Sequence, residues 1–111
     1  MGLLSRTELP AARWNADVFA ADGRFLGRPD AWFDDVALAW QIDSYQFHLA
    51  PADYARTMNR DAVMVAVGIV VLRTLPTDLR RRPALVLGRL RAAYHQASTR
   101  SRPPLQVRQA S

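Results

Sequence analysis

Asp30, Gln41, Asp43 and His48 carry oxygen and nitrogen atoms of the kinds that hold a hard metal ion or relay a proton, and they lie close together in the chain. They stand at the ends of two adjacent apolar stretches, 24–33 and 36–43, which read as strands. Side chains at neighbouring strand ends can converge on a cation and a phosphate, the chemistry of a nuclease-type site. Magnesium is held by one or two carboxylates completed by water and phosphate oxygens. Asp30 with Asp43, or Asp30 with the amide oxygen of Gln41 and the carbonyl of Ile42, meets that minimum. Gln41 is the flaw in the pattern: such a site calls for a carboxylate there, and a neutral amide binds a cation far more weakly.

Each of these residues also has a plain structural use. Asp30 after Pro29 can cap a turn, and Asp43 at a strand end can cap the segment that follows. His48, between Phe47 and Leu49, can be a packed histidine satisfied locally. Arg56 and Arg60, spaced for one helix face, can answer Asp53 and solvent. Trp14, Trp32 and Trp40 read as packing residues rather than base-stacking platforms.

The elements that position these groups must fit in one domain of 111 residues. With 50% hydrophobic and 23% charged residues, the chain is expected to fold. It has no cysteine, which excludes disulfides, thiolate nucleophiles, cysteine-ligated zinc and iron–sulfur clusters. All 15 basic residues are arginine, which removes Schiff-base chemistry and any lysine base or phosphate-loop lysine. The net charge of +5 favours a polyanionic partner such as nucleic acid. The longest apolar run, 62–72, is interrupted by Gly68 and is too short to span a bilayer. No stretch has signal-peptide length either. A cytoplasmic protein without membrane association is expected.

Residues 14–21 read as a strand and Asp22-Gly23 as a tight turn; 24–33 is the antiparallel partner. Asp34-Asp35 reads as a second tight connection into a third strand, 36–43. Val36, Leu38, Trp40 and Ile42 share one face of that strand; Ala37, Ala39, Gln41 and Asp43 share the other. Pro51 and Gly68 bracket a helix of about four to five turns, with Tyr54, Met58, Ala62 and Val65 as its apolar stripe. Residues 69–75 form a buried strand beside the third one. Pro83 opens a last helix, whose stripe is Val86, Leu90, Ala93, Tyr94 and Ala97. Residues 1–13 are a stub, 14–97 the domain, and 98–111, rich in Ser, Arg, Pro and Gln, a disordered basic tail. The order β-β-β-α-β-α describes an α/β fold: a mixed four-stranded sheet with helices packed on it, and a right-handed crossover if the fourth strand runs parallel to the third.

A two-residue turn at Asp34-Asp35 places Asp30 opposite Ala39, with Gln41 as a diagonal neighbour on the same face. Asp43 then stands about 13 Å further along, too far to share an ion unless a longer loop or a bulge shifts the pairing. Pro29, which cannot donate to a ladder, makes an irregularity beside Asp30 plausible.

The run 22–32 (Asp-Gly-Arg-Phe-Leu-Gly-Arg-Pro-Asp-Ala-Trp), then Ile42-Asp43-Ser44 with His48, Arg56-Thr57-Met58-Asn59-Arg60, and 68–72 (Gly-Ile-Val-Val-Leu), resembles an actinobacterial domain related to very-short-patch-repair endonucleases, within the PD-(D/E)XK restriction-endonuclease-like superfamily. The resemblance covers about 14–97. It implies a restriction-endonuclease-like core and a magnesium cofactor. Asp30 then matches the first metal-binding aspartate, Asp43 the aspartate of the Glu-x-Asp strand motif, and His48 the histidine beyond it. Gln41 departs from the family's glutamate, and Ser44 from its usual glycine. Such domains are often the C-terminal part of longer proteins, some of them toxin–antitoxin components.

Three functions are compatible with this reading. The first is a magnesium-dependent DNA endonuclease: Asp30 and Asp43 hold the metal, His48 serves the attacking water, and Arg56 or Arg60 neutralises the scissile phosphate. Gln41 would make it slow or inactive. The second is a nuclease-like fold that has lost cleavage and keeps nucleic-acid binding, with Arg28, Arg56 and Arg60 on the phosphates. The third is a non-catalytic interaction or regulatory module, for example a toxin–antitoxin component, that packs on itself as a homo-oligomer or on a missing N-terminal partner domain through exposed Trp and Phe residues.

Overall fold

A computed structural model describes residues 9–42 and 51–109. The chain runs through β1 (Arg13–Trp14), β2 (Ala16–Ala20), β3 (Phe25–Gly27), β4 (Ala31–Phe33), β5 (Leu38–Ile42), α1 (Pro51–Ala66), β6 (Val70–Thr74), α2 (Pro76–Arg81), α3 (Pro83–Ser98) and β7 (Leu105–Gln109). The fold is α/β, built on a mixed four-stranded sheet in the order β1-β4-β5-β6 with helices packed on it.

The first hairpin turns where expected. Gly23, at φ 91°, donates its N–H to the Ala20 carbonyl at 2.9 Å, while the Asp22 carboxylate takes the Arg24 N–H at 3.0 Å. The ribbon it closes does not stay in one sheet. Asn15 takes a left-handed φ of 57°, which Asn tolerates better than most residues, and opposite it Pro29 keeps Arg28–Asp30 out of the ladder. The Asn15 N–H closes this corner on the Asp30 carbonyl at 3.2 Å. The expected strands 14–21 and 24–33 are therefore each split in two. β1 and β4 belong to the four-stranded sheet, while β2 and β3 join β7 in a second sheet of order β3-β2-β7.

The tail expected to be disordered supplies that β7. Residues 105–109 pair antiparallel with the whole of β2, from Ala16↔Gln109 to Ala20↔Leu105. Leu105 and Val107 alternate with Gln106 and Arg108, and the two apolar side chains pack against the inter-sheet core. Two arginines fasten the approach. Arg100 donates to the carbonyls of Val36 (2.7 Å), Ala37 (3.2 Å) and Gly68 (2.7 Å). Arg102 reaches the Asp34 carbonyl at 2.5 Å and its carboxylate at 2.9 Å.

α1 ends as Gly68 predicts. At φ 98° Gly68 donates to the Val65 carbonyl at 3.0 Å and Ile69 donates to Met64 at 3.1 Å, the paired bonds of a Schellman motif. β6 then lies parallel to β5, Leu38↔Val70 through Ile42↔Thr74. α3 packs on one face of the sheet with Val86, Leu90 and Ala97, over Ala31, Phe33, Leu38 and Trp40. Trp32, Ala37, Ala39, Met64 and Ile69 form the other core, beneath the second sheet and α1. Trp32 and Trp40 are wholly buried, their indole N–H groups on Asp34 and Thr74 at 3.0 and 2.9 Å. They are core residues, not the exposed contacts that an interaction surface would use.

The apolar stripe of α1 is rotated from the expected one. Met58 and Val65 are 49% and 57% exposed, whereas Met64 is buried and Asp61 half-buried. The inward face runs through Thr57, Asp61 and Met64, one residue away from 58-62-65. The same rotation buries Met64 in the core and brings the Asp61 carboxylate onto Arg73 of β6.

Candidate functional site

The register between β4 and β5 decides what Asp30 meets. The connection is a four-residue turn, 34–37, with Ala37 at φ 52°, and the pairing is Ala31↔Trp40, Trp32↔Ala39 and Phe33↔Leu38. Relative to the two-residue turn expected from sequence, the strands have slid by two positions. A slip of two keeps every side chain on its face, but it sets Asp30 beside Gln41 instead of Ala39. The two residues lock together: the Asp30 N–H donates to the Gln41 side-chain oxygen at 3.3 Å, and the Ile42 N–H donates to Asp30 Oδ2 at 2.7 Å.

Across β5 the row continues. Gln41 is in register with Arg73 of β6, so the two side chains share a face. Arg73 is bound through two nitrogens to Asp61 of α1, at 2.6 and 2.8 Å, with side-chain exposures of 29% and 17%. Asp30, Gln41 and Arg73 thus form one polar row at the C-terminal ends of β5 and β6, just beyond the apolar core under Ala39 and Val71, with Asp61 arriving from above. Sequence reasoning missed Arg73 and Asp61. The available signal was a lone arginine inside the apolar run 69–75, since a charge in a half-covered strand needs a partner.

The other expected residues are distributed as follows. Asp43 and His48 lie outside the described residues. Arg28 donates to the Asp17 carboxylate from Nε at 2.6 Å and from an NH2 nitrogen at 3.2 Å, and its side chain remains about half exposed. That hydrogen-bonded guanidinium holds the Asp17 carboxyl below its ordinary range. Arg56 and Arg60 are both exposed on α1. Arg60 lines a shallow hollow with Phe25, Leu26, Gly27 and Arg28, on the side of the second sheet.

The described donors do not by themselves form a magnesium site. One Asp30 oxygen is engaged by a backbone N–H, and Asp61 and Arg73 are committed to each other, which leaves Asp30 as the only carboxylate of the described row not closed in an ion pair. Among the described residues no three His, Cys, Asp or Glu side chains come together as a metal cluster. The Asp30–Asp43 pair expected to hold magnesium therefore turns on Asp43. What the row can do is accept and donate hydrogen bonds beside a closed ion pair, which suits contact with polar groups.

No protein-family model, curated protein or solved structure matches this chain. No described helix is long and apolar enough to cross a membrane.

Proposed function

We propose that the chain is a degenerate nuclease-like domain of the very-short-patch-repair type, acting in the cytoplasm, which binds nucleic acid, DNA in the first place, and cleaves it weakly or not at all. The observation that carries this reading is the Asp30–Gln41 lock in register with Arg73. A carboxylate stands at the strand end that a restriction-endonuclease-like core requires, a neutral amide stands beside it, and the neighbouring guanidinium is closed in an ion pair with Asp61. Magnesium, if held, would be held by Asp30 with Asp43, and Gln41 would leave that binding weak. The exposed Arg60 and the net charge of +5 support a polyanionic partner.

The test is cleavage of a supercoiled plasmid with magnesium or manganese by wild type, Gln41→Glu and Asp30→Ala. Wild type is expected to nick slowly or not at all, and Gln41→Glu to nick faster. Activity indifferent to Asp30→Ala would end the nuclease reading.

One observation favours the second reading, a non-catalytic interaction or regulatory module. Met58, Val63 and Val65 are exposed on α1, as is Phe25 on β3. Sedimentation of the pure chain tests it: a homo-oligomer lost on Met58→Asp supports a protein contact through this helix.

A further inference from the structure

We infer that the corner between α2 and α3, where Arg80, Arg81 and Arg82 follow one another, is the principal surface by which this protein grips a nucleic-acid backbone. The inference rests on the nucleic-acid reading above and gives it a location that the expected residues Arg28, Arg56 and Arg60 do not.

The charge is concentrated there. Between positions 76 and 91 five arginines face a single carboxylate, Asp78. Asp78 reaches only Arg89, and only at 4.0 Å. Arg80, Arg81 and Arg82 are exposed and have no carboxylate partner among the described residues. Other arginines have partners: Arg28 pairs with Asp17 on the surface, Arg73 with Asp61 and Arg102 with Asp34, while Arg100 donates to the carbonyls of Val36, Ala37 and Gly68.

Helix electrostatics add to the field. Arg82 occupies the N-cap of α3 with no side-chain cap, and the first turn holds no acid. A cation at a helix N-terminus is unfavourable, so the arrangement is relieved when an anion binds. The chain path also places the corner. β6 ends at Thr74 and α2 starts at Pro76, whereas Arg100, beyond the far end of α3, is tied to Val36 and Ala37 before β5 and to Gly68 before β6. The three arginines therefore sit at the same end of the sheet as Asp30, Gln41 and Arg73. Arg80 and Arg81, successive in α2, diverge by about 100°, and Arg82 follows in a non-helical conformation between the two helices, so the three side chains leave the backbone in different directions. A fan can reach phosphates along a curved backbone, while a flat anionic membrane would meet only part of it.

The experiment uses the whole chain, a labelled duplex read by fluorescence anisotropy over a range of salt, and vesicles of phosphatidylcholine with phosphatidylserine. Arg80→Gln/Arg81→Gln/Arg82→Gln is expected to weaken duplex binding by more than about tenfold and to lower the slope of log K against log salt by about 2 to 3. Each single substitution should lower it by about 1, a reading that survives if the triple variant fails to fold. Unchanged affinity and slope in these variants, with loss in Arg60→Gln, would overturn the assignment and leave nucleic-acid binding standing. No duplex binding by wild type even at low salt would overturn both. Binding to the vesicles with none to the duplex would mark the corner as a membrane contact and also overturn it.

Discussion

Arg73 stands in register with Gln41 on the parallel neighbour strand, and Asp61 of α1 clasps its guanidinium at 2.6 and 2.8 Å. The row on which a nuclease-like core would do chemistry therefore holds a closed ion pair and a neutral amide, with Asp30 tied to the backbone of β5.

Gln41→Glu places a second carboxylate next to Asp30. The Asp30 N–H keeps its acceptor, but two neighbouring carboxylates repel, and one of them resists ionisation. The variant is expected to melt a few degrees below wild type without metal and to recover with magnesium, as a ligand that binds only the native state stabilises it by mass action. Wild type should respond to magnesium much less. Thermal unfolding of both proteins with and without the ion checks this.

Arg73→Met leaves the Asp61 carboxylate half-buried and unpaired. Breaking a fully buried pair costs more, but with the exposures of 29% and 17% found here the loss should be about 2 kcal/mol. Asp61→Leu with Arg73→Met should recover part of that loss, since neither charge then remains to be solvated. Urea unfolding of the two single variants and the double variant measures the coupling; strict additivity would contradict the pairing.

Tyr94 donates its hydroxyl to the Asp35 carboxylate, and that hydrogen bond first, then burial and the nearby negative charge, push the phenol up to about 12. A raised value favours the protonated form in the folded state. The resulting stability is complete below the ordinary phenol value of 10.0 and is lost as pH rises from there through about 12. Tyr94 should ionise above the ordinary phenol value. Asp35→Asn should bring its phenolate absorbance back toward the ordinary range.

What could be read from sequence was whatever local chemistry dictates. Pro51 and Gly68 bracketed α1 because one lacks an N–H where none is needed and the other accepts a positive φ. The alternation of 38–42 assigned the faces of β5 correctly, which put Gln41 on the side of Asp30 from the outset. The reading failed where one element answers another at a distance. Ala37 resembles a strand residue, yet its left-handed φ lengthens the β4–β5 turn and slides Asp30 onto Gln41. Asn15 looks like an ordinary strand interruption, yet it divides one ribbon between two sheets. Leu105 and Val107 are too few to announce β7, which needs β2 as a template. α1 is turned so that Met64 enters the core and Asp61 meets Arg73, partners outside the helix that its own pattern does not show.

The most direct test of binding without efficient cleavage is a single incubation of labelled duplex DNA with excess wild-type protein in magnesium at low salt, divided between a native and a denaturing gel. The account predicts a retarded complex on the first and strands of full length on the second. Rapidly shortened strands, or DNA that runs unretarded at every protein concentration, would contradict it.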